Sequence, residues 1–123
     1  MIVGIVNSRT EAIIRLSVRA TDGREQEIEA ILDTGFNGSL TLPPELIATL
    51  RLEWRTRGMV MLANGAEDSC DIYAASVVWD GGPRNILIEA ADTDPLVGTG
   101  LLYGHEVQVQ VIEGGRVVIE RLP

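Results

Sequence analysis

Apolar and polar side chains alternate at short range along much of the chain, which is the pattern of β-strands. The run from Glu11 to Arg19 and the run that ends at Leu32 flank the turn sequence Ala20-Thr21-Asp22-Gly23, and together they predict a β-hairpin. Ile2 to Val6 predicts a further strand, which is available for pairing within the chain or with another chain.

The middle of the chain predicts a short strand, one helix and a second hairpin. Ser39–Leu42 is apolar enough for a strand, and Pro43-Pro44-Glu45 then places proline and an acid where a helix begins. Helical spacing of apolar residues predicts that this helix ends around Arg51 to Glu53. Asn64-Gly65 lies between extended runs, and both residues tolerate positive φ, so the sequence predicts a hairpin there.

The last third of the chain again predicts mainly short strands. Its elements are a turn at Asp80–Pro83, a strand at Ile86–Ile88, a short apolar segment at Pro95–Gly98, a brief helix or turn at Gly100–Tyr103, and a hairpin that joins Val107–Val111 to Val117–Ile119 through Glu113–Arg116. Many short strands, one or two short helices and no β-α-β rhythm favour an all-β, closed barrel-like domain.

Composition and charge narrow the class of protein. A chain of 123 residues with 46% hydrophobic side chains is long enough for one domain, residues 1–123, and too short for two. No apolar run approaches the roughly 18 residues of a membrane span, and Met1–Val6 lacks the features of a secretory signal. The net charge of −8 disfavours nucleic acid. One cysteine, Cys70, permits no intrachain disulfide, so we expect a soluble, cytoplasmic protein.

The candidate chemistry lies in Asp33-Thr34-Gly35, directly after a predicted strand. Glycine lets the backbone bend, and the threonine hydroxyl can bond neighbouring backbone groups, so the turn can hold a carboxylate in place. Peptide hydrolysis by carboxylates needs two of them, one to take a proton from water and one to polarise the scissile carbonyl.

The second carboxylate must come from another chain. No second Asp-Thr-Gly is present, because Asp92-Thr93 is followed by Asp94. A two-fold homodimer would place Asp33 of both chains beside its axis. Two carboxylates that lie so near each other share one proton, so activity should favour acidic to mildly acidic pH.

Three segments give the sequence a family resemblance. Leu32–Phe36, Leu62–Gly65 and Pro95–Leu102 resemble, in order and separation, the motifs of the retropepsin-like (clan AA) aspartic peptidases, particularly the small bacterial members. The resemblance covers roughly residues 11 to 120. It implies a retropepsin (acid protease) fold and a homodimeric aspartic endopeptidase that acts on peptides or proteins without metal or cofactor.

The same resemblance implies roles for individual residues. Asp33 resembles the catalytic aspartate, Thr34 the threonine that grips across the dimer, and Gly35 the glycine whose carbonyl binds substrate backbone. The implied substrate-binding residues are Phe36 and Asn37, which would line subsites, Ala63, Asn64 and Gly65, which would form a flap over the peptide, and Gly98, which would pack behind the active turn.

Three departures from the family pattern stand out. Phe36 occupies a position where the family usually has a small residue, so the pocket beside the catalytic pair would be narrowed or partly filled. Thr99-Gly100 offers little side chain to brace the dimer, where the family often has a basic or bulky residue and then a polar one. The flap also lacks the glycine-rich tip of viral enzymes.

Other interpretations remain open from the sequence. Asp33 could be an ordinary turn aspartate bonded to its own backbone. The fold could also serve a catalytically silent dimerisation or peptide-binding module, with Phe36 blocking the cleft. A Ser/His or Cys/His nucleophilic site has little support, because His105 is the only histidine in the sequence, no serine lies in a Gly-x-Ser-x-Gly elbow and Cys70 lies in a predicted strand.

Two ligand sites are also disfavoured. Glu89, Asp92 and Asp94 could gather around calcium, but they lack the spacing and glycine of an EF-hand, which favours a solvated acidic loop. Gly98-Thr99-Gly100 is too short to cradle a phosphate.

Overall fold

The computed structural model describes residues 1–61 and 64–123, and in these ranges it contains ten strands and two short helices. In chain order the elements are β1 (Ile2–Val6), β2 (Ala12–Arg19), β3 (Glu25–Leu32), β4 (Leu40–Leu42), α1 (Pro44–Leu50), β5 (Glu53–Met61), β6 (Glu67–Trp79), β7 (Gly82–Ala90), β8 (Leu96–Val97), α2 (Thr99–Leu102), β9 (His105–Val109) and β10 (Arg116–Arg121).

The strands form one sheet in the order β5-β6-β7-β4-β8-β3-β2-β1-β10-β9. Strand β6 also pairs with β2, where Val18 faces Val77, so the strands from β6 through β7, β4, β8 and β3 to β2 close a ring. Strand β5 extends β6 as a hairpin, and β1, β10 and β9 extend the sheet beyond β2. The all-β, closed barrel-like arrangement with one or two short helices is confirmed in this form.

Alternation along the strands fills the core. On β2, Ile14, Leu16 and Val18 are buried while Arg15 and Arg19 are exposed, because successive side chains point to opposite faces of a strand. The other strands of the ring contribute Ile28, Ala30, Leu40, Leu42, Val77, Ile86, Ile88 and Val97 to the same buried cluster. Removal of this apolar surface from water is the main force that holds the ring together.

Parallel and antiparallel pairings occur side by side among four strands of the ring, β3, β8, β4 and β7. Strand β8 runs parallel to β3 and antiparallel to β4, and β4 runs parallel to β7. Leu40 of β4 faces Val97 of β8, and both side chains are fully buried. The pairing of β8 with β3 and β4 fixes the end of β3 at Leu32, and Asp33 is the next residue.

Two predicted strand boundaries were wrong. The turn predicted at Asp80–Pro83 involves only Asp80 and Gly81, both at positive φ (50° and 85°), so β7 starts at Gly82 and Pro83 pairs with Val78. Two successive residues at positive φ form the tight turn that best suits a hairpin. Strand β9 ends at Val109, which leaves Val111 exposed in the loop.

The helices are short, and their ends have clear causes. Helix α1 starts with Pro44 at its first position and ends at Leu50, one residue before the predicted range, because Arg51 takes a left-handed conformation at φ 52° and ψ 50°. Across the described ranges, neither helix has the length or apolar character that crossing a bilayer would require.

Candidate active site

Asp33 follows directly on the parallel pairing of β3 with β8. Leu32 faces Val97 in this pairing, and the N–H of Asp33 donates to the carbonyl oxygen of Val97 at 2.9 Å. The side chain of Asp33 is half-buried. The aspartate therefore starts from a backbone position that a strand distant in sequence holds in place.

The Asp33-Thr34-Gly35 turn closes on itself. The N–H of Gly35 donates to Oδ1 of Asp33 at 2.9 Å, and the N–H of Phe36 donates to the carbonyl oxygen of Asp33 at 3.1 Å. Thr34 is exposed, and its hydroxyl makes no hydrogen bond to any part of the chain that the structure describes. The Gly35 N–H, and not the threonine hydroxyl, orients the carboxylate within one chain.

A second segment, residues 97–100, supports the turn from behind. Gly98 donates to the carbonyl oxygen of Ser39 at 3.0 Å, and Gly100 donates to that of Gly38 at 3.0 Å. Thr99 bonds the carbonyl oxygen of Phe36 twice, from its N–H at 2.8 Å and from its hydroxyl at 3.3 Å. An ordinary turn aspartate needs only its own local bonds, so this network between distant segments favours a built site.

Phe36 packs onto two glycines. A Cβ placed on Gly98 would lie 2.6 Å from the Phe36 ring and would overlap the carbonyl oxygen of Gly38, while a Cβ on Gly38 would overlap the far edge of the same ring. Glycine at 38 and 98 thus leaves the space that the half-buried ring occupies. Gly98 itself is buried.

Arg84 is a residue of the site region that sequence reasoning missed. From β7 its guanidinium donates to the carbonyl oxygens of Gly100 and Leu101, each at 3.0 Å. These carbonyls belong to α2, which follows Gly98. Arginine therefore braces this segment from another strand, although Thr99-Gly100 carries little side chain of its own. No local motif marks Arg84, because it lies in an unremarkable strand sequence.

The predicted flap lies at the tip of the β5–β6 hairpin. Asn64 accepts a hydrogen bond from the N–H of Ala66 at 2.9 Å, and Gly65 has φ 85°, so both residues lie in the connection between Met61 of β5 and Glu67 of β6. Ala63 lies outside the described residues. Asn37 is exposed, two residues beyond Gly35. The contacts described for Asn64 and Gly65 are local to the hairpin.

A carboxyl group from β7 also reaches the loop that follows the turn. Oε2 of Glu89 lies 3.0 Å from the Cβ position of Gly38, and burial raises the pKa of Glu89. Burial likewise raises the pKa of the Cys70 thiol, and the nearby charges of Glu89, Asp71 and Asp68 raise it further. Glu89 was expected in a solvated acidic loop with Asp92 and Asp94, but it is a strand residue on β7.

The histidine has a structural role. Trp79 donates its indole N–H to Nε2 of His105 at 3.2 Å, and Nδ1 of His105 lies 3.0 Å from the carbonyl oxygen of Tyr103. Both ring nitrogens are therefore engaged, and this arrangement gives the Cys70–His105 nucleophile no support. Within the described ranges no group of three His, Cys, Asp or Glu side chains is arranged to hold a metal ion.

The architecture defines a class of fold. The ring of strands with two short helices agrees with the all-β retropepsin fold that the sequence resemblance implied, and a buried glycine, Gly98, lies behind the Asp-Thr-Gly turn. No protein-family model matches the sequence, and no curated protein matches it either.

A solved structure does match. The chain is similar to the crystal structure of a retropepsin-like aspartic protease from Rickettsia conorii, with a TM-score of 0.57 and 16% sequence identity over 99% of this chain and 91% of that one. The retropepsin-like fold is thereby confirmed, and at this identity the likeness concerns the fold.

Proposed function

We propose that the chain is one subunit of a homodimeric aspartic endopeptidase that hydrolyses peptide bonds between the Asp33 carboxylates of two subunits. The observation that carries this proposal is the position of Asp33. It follows β3, its N–H is bonded to Val97, and its carboxylate is oriented by the N–H of Gly35 at 2.9 Å. The retropepsin-like fold of the chain supports the same conclusion.

The proposed chemistry needs one proton shared by two carboxylates. The ionised Asp33 takes a proton from a water molecule as the oxygen attacks the scissile carbonyl, while the protonated Asp33 donates a hydrogen bond to the carbonyl oxygen. Collapse of the tetrahedral intermediate then returns a proton to the leaving amine. In this scheme Gly35 would bind substrate backbone through its carbonyl, and Thr34, which is exposed, would grip the other subunit.

The substrate would lie between this turn and the β5–β6 hairpin. Asn64 and Gly65 at the hairpin tip, together with Ala63, would close over an extended peptide and add it to the strands as a further strand. Closure would exclude water other than the attacking molecule. Phe36 and Asn37 would line the subsites beside the carboxylates, and Gly98 would hold the turn from behind.

A row of apolar side chains supports the homodimer. Ile5, Ile13 and Ile31 face one another across β1, β2 and β3, and Leu96 of β8 faces Ile31. Directly paired residues share one face of a sheet, so the row, together with the neighbouring Val3, forms an apolar stripe on the side opposite the core. Ile5 is 55% exposed, and Ile31 lies two residues before Asp33. A two-fold contact along this stripe would bring both Asp33 turns together.

Replacement of Asp33 by Asn tests the proposal. We expect Asp33→Asn to lower the cleavage of a denatured protein by at least about a hundredfold at acidic to mildly acidic pH, because the general acid-base pair is lost. Asp92→Asn is the matched control, since Asp92 also precedes a threonine but lacks the following glycine. Circular dichroism would verify that both variants are folded.

The competing function is the catalytically silent dimerisation or peptide-binding module. The Phe36 ring favours this module, because the ring fills space beside the turn. Against the module, the ring packs onto Gly38 and Gly98 of its own chain. A folded, dimeric wild-type protein that cleaves no peptide across the acidic to neutral range would contradict the peptidase and leave the module.

We also propose that residues 1–123 act as one domain and that the protein is cytoplasmic, which suits its one thiol, Cys70.

A further inference from the structure

Glu89 is a half-buried carboxylate without a partner in the described part of the chain. No hydrogen bond or ion pair to it occurs within residues 1–61 and 64–123, whereas Arg15, Arg19, Arg24, Arg55 and Arg57 each bridge an exposed acid. A carboxylate that has left part of its water without gaining a cation carries an energetic cost. Such a cost is repaid when a cationic ligand binds.

The surroundings of Glu89 locate it beside the proposed peptide path. Glu89 faces Ile72 of β6, the strand that continues into the flap hairpin, and the Ile72 side chain covers Gly58 of β5. On its other side, Oε2 of Glu89 reaches the space above Gly38, three residues after Gly35. The carboxylate therefore lies between the base of the flap hairpin and the loop that leaves the catalytic turn.

Two further features of this region suit a basic side chain. The Phe36 ring overlaps the same Cβ position of Gly38 that Oε2 of Glu89 approaches to 3.0 Å, so a cationic side chain that reaches the carboxylate would also meet an aromatic ring. Asp68 and Asp71 lie close enough to the Cys70 thiol to act on it together with Glu89, and of these acids Asp71 is bridged by Arg57. The whole chain, with 18 acidic and 10 basic residues, attracts cations as well.

We propose that Glu89, with the ring of Phe36, forms a subsite that selects lysine or arginine in the peptide at a position near the scissile bond. The inference rests on the proposed peptidase function and names its substrate class. Gly38 is essential to the subsite, because a Cβ there would overlap the Phe36 ring and crowd Oε2 of Glu89. The ion pair would form inside a closed cleft, where it is screened less than on an open surface.

Binding to the inactive protein tests the subsite without requiring cleavage. The background is Asp33→Asn, and the probes are short apolar peptides that carry Lys, Leu or Glu at one scanned position. Binding is measured by fluorescence anisotropy at about pH 7.5, well above the ordinary pKa of glutamate, because burial raises the pKa of Glu89. We expect the Lys peptide to bind about fivefold more tightly than the Leu peptide at one or two of the scanned positions. Adding Glu89→Gln should bring this ratio to about one.

Control variants separate the Glu89 subsite from the proposed peptidase function. Adding Glu120→Gln, which removes an equal charge from the exposed face of β10, should keep the preference, and adding Glu89→Lys should reverse it in favour of the Glu peptide. Equal affinity for Lys and Leu peptides, or a preference that survives Glu89→Gln, would overturn the subsite. If the wild-type protein, with Asp33 intact, cleaves no peptide, this would instead contradict the peptidase function. The Lys preference measured by binding would still decide the role of Glu89.

Discussion

At the scale of single residues, the site depends on where side-chain volume is placed around the turn. Phe36 adds a ring where the family pattern has a small residue, and Gly38 and Gly98 supply the space for that ring. The sequence resemblance alone suggested a narrowed pocket at this point. The structure adds that the ring has two glycine neighbours and that Glu89 reaches the same space from β7.

Glu89 gives a prediction about stability and pH. Burial raises its pKa in the folded chain above the ordinary 4.5, so the folded state binds the proton more tightly than the unfolded state does. The stabilisation from the neutral carboxyl is complete below about pH 4.5, is lost as pH rises through the folded pKa, and stays lost above it. Glu89→Gln keeps a neutral polar group, so we expect it to be more stable than wild type at neutral pH.

Urea unfolding at several pH values checks this expectation. The difference in unfolding midpoint between Glu89→Gln and wild type should be close to zero at the acid end and should grow towards pH 7 before it becomes constant. Glu120→Gln, an exposed strand position, should show no comparable trend. A Glu89→Gln midpoint that tracks wild type at every pH would mean that the folded chain does not favour the neutral carboxyl.

At the scale of elements, the sequence predicted most strands because alternation and turn residues are local signals. The hairpin of β2 and β3, the hairpin of β5 and β6 and the positive φ of Gly65 agree with their patterns. Strand β7 starts at Gly82, earlier than predicted, because a proline usually argues against a strand. Pro83 is tolerated because β7 pairs only with β6 at this end. The brace from Arg84 to α2 was not predictable, because it joins residues that no local pattern relates.

The segment behind the turn gives a prediction at this scale. A Cβ at residue 98 would overlap backbone and ring atoms of residues 36 and 38, and backbone cannot move aside cheaply. We therefore expect Gly98→Ala to destabilise the fold by about 3 kcal/mol and to abolish any activity of the Asp33 turn. Gly82→Ala is the matched control, because nothing lies within 4 Å of a Cβ there, and its effect should stay within about 0.5 kcal/mol.

Chemical denaturation of both variants, read by the fluorescence of the buried Trp79, measures the two effects. Equal stability of Gly98→Ala and Gly82→Ala would show that the turn and the segment behind it adjust to the added methyl group. The close packing around Gly98 would then not constrain this position.

At the scale of the whole molecule, strand order was beyond the reach of the sequence. Periodicity identifies strands but does not say which of them pair, and the pairing of β6 with β2 joins residues 18 and 77. Ile2–Val6 was open to pairing within or between chains, and the structure pairs it with β10 and β2. The face of a side chain follows from these pairings, so the apolar stripe of Val3, Ile5, Ile13, Ile31 and Leu96 emerged only with the register.

That stripe gives the last prediction, which concerns the homodimer. We expect the wild-type mass in solution to be that of two chains at high concentration, and Ile5→Glu to raise the dissociation constant at least about tenfold, because a charge would be buried against the apolar stripe of the other subunit. Leu87→Glu is the control. Leu87 is 55% exposed, as Ile5 is, but it lies on β7, away from the stripe.

Light scattering during dilution gives the two dissociation constants, and the same samples can be assayed for cleavage. Because the proposed catalytic pair requires two chains, cleavage by Ile5→Glu should fall in proportion to the loss of dimer and should recover when the protein is concentrated. A variant that remains dimeric would move the contact away from the stripe. A monomeric wild type that cleaves peptides with full activity would exclude a catalytic pair made of two Asp33 side chains.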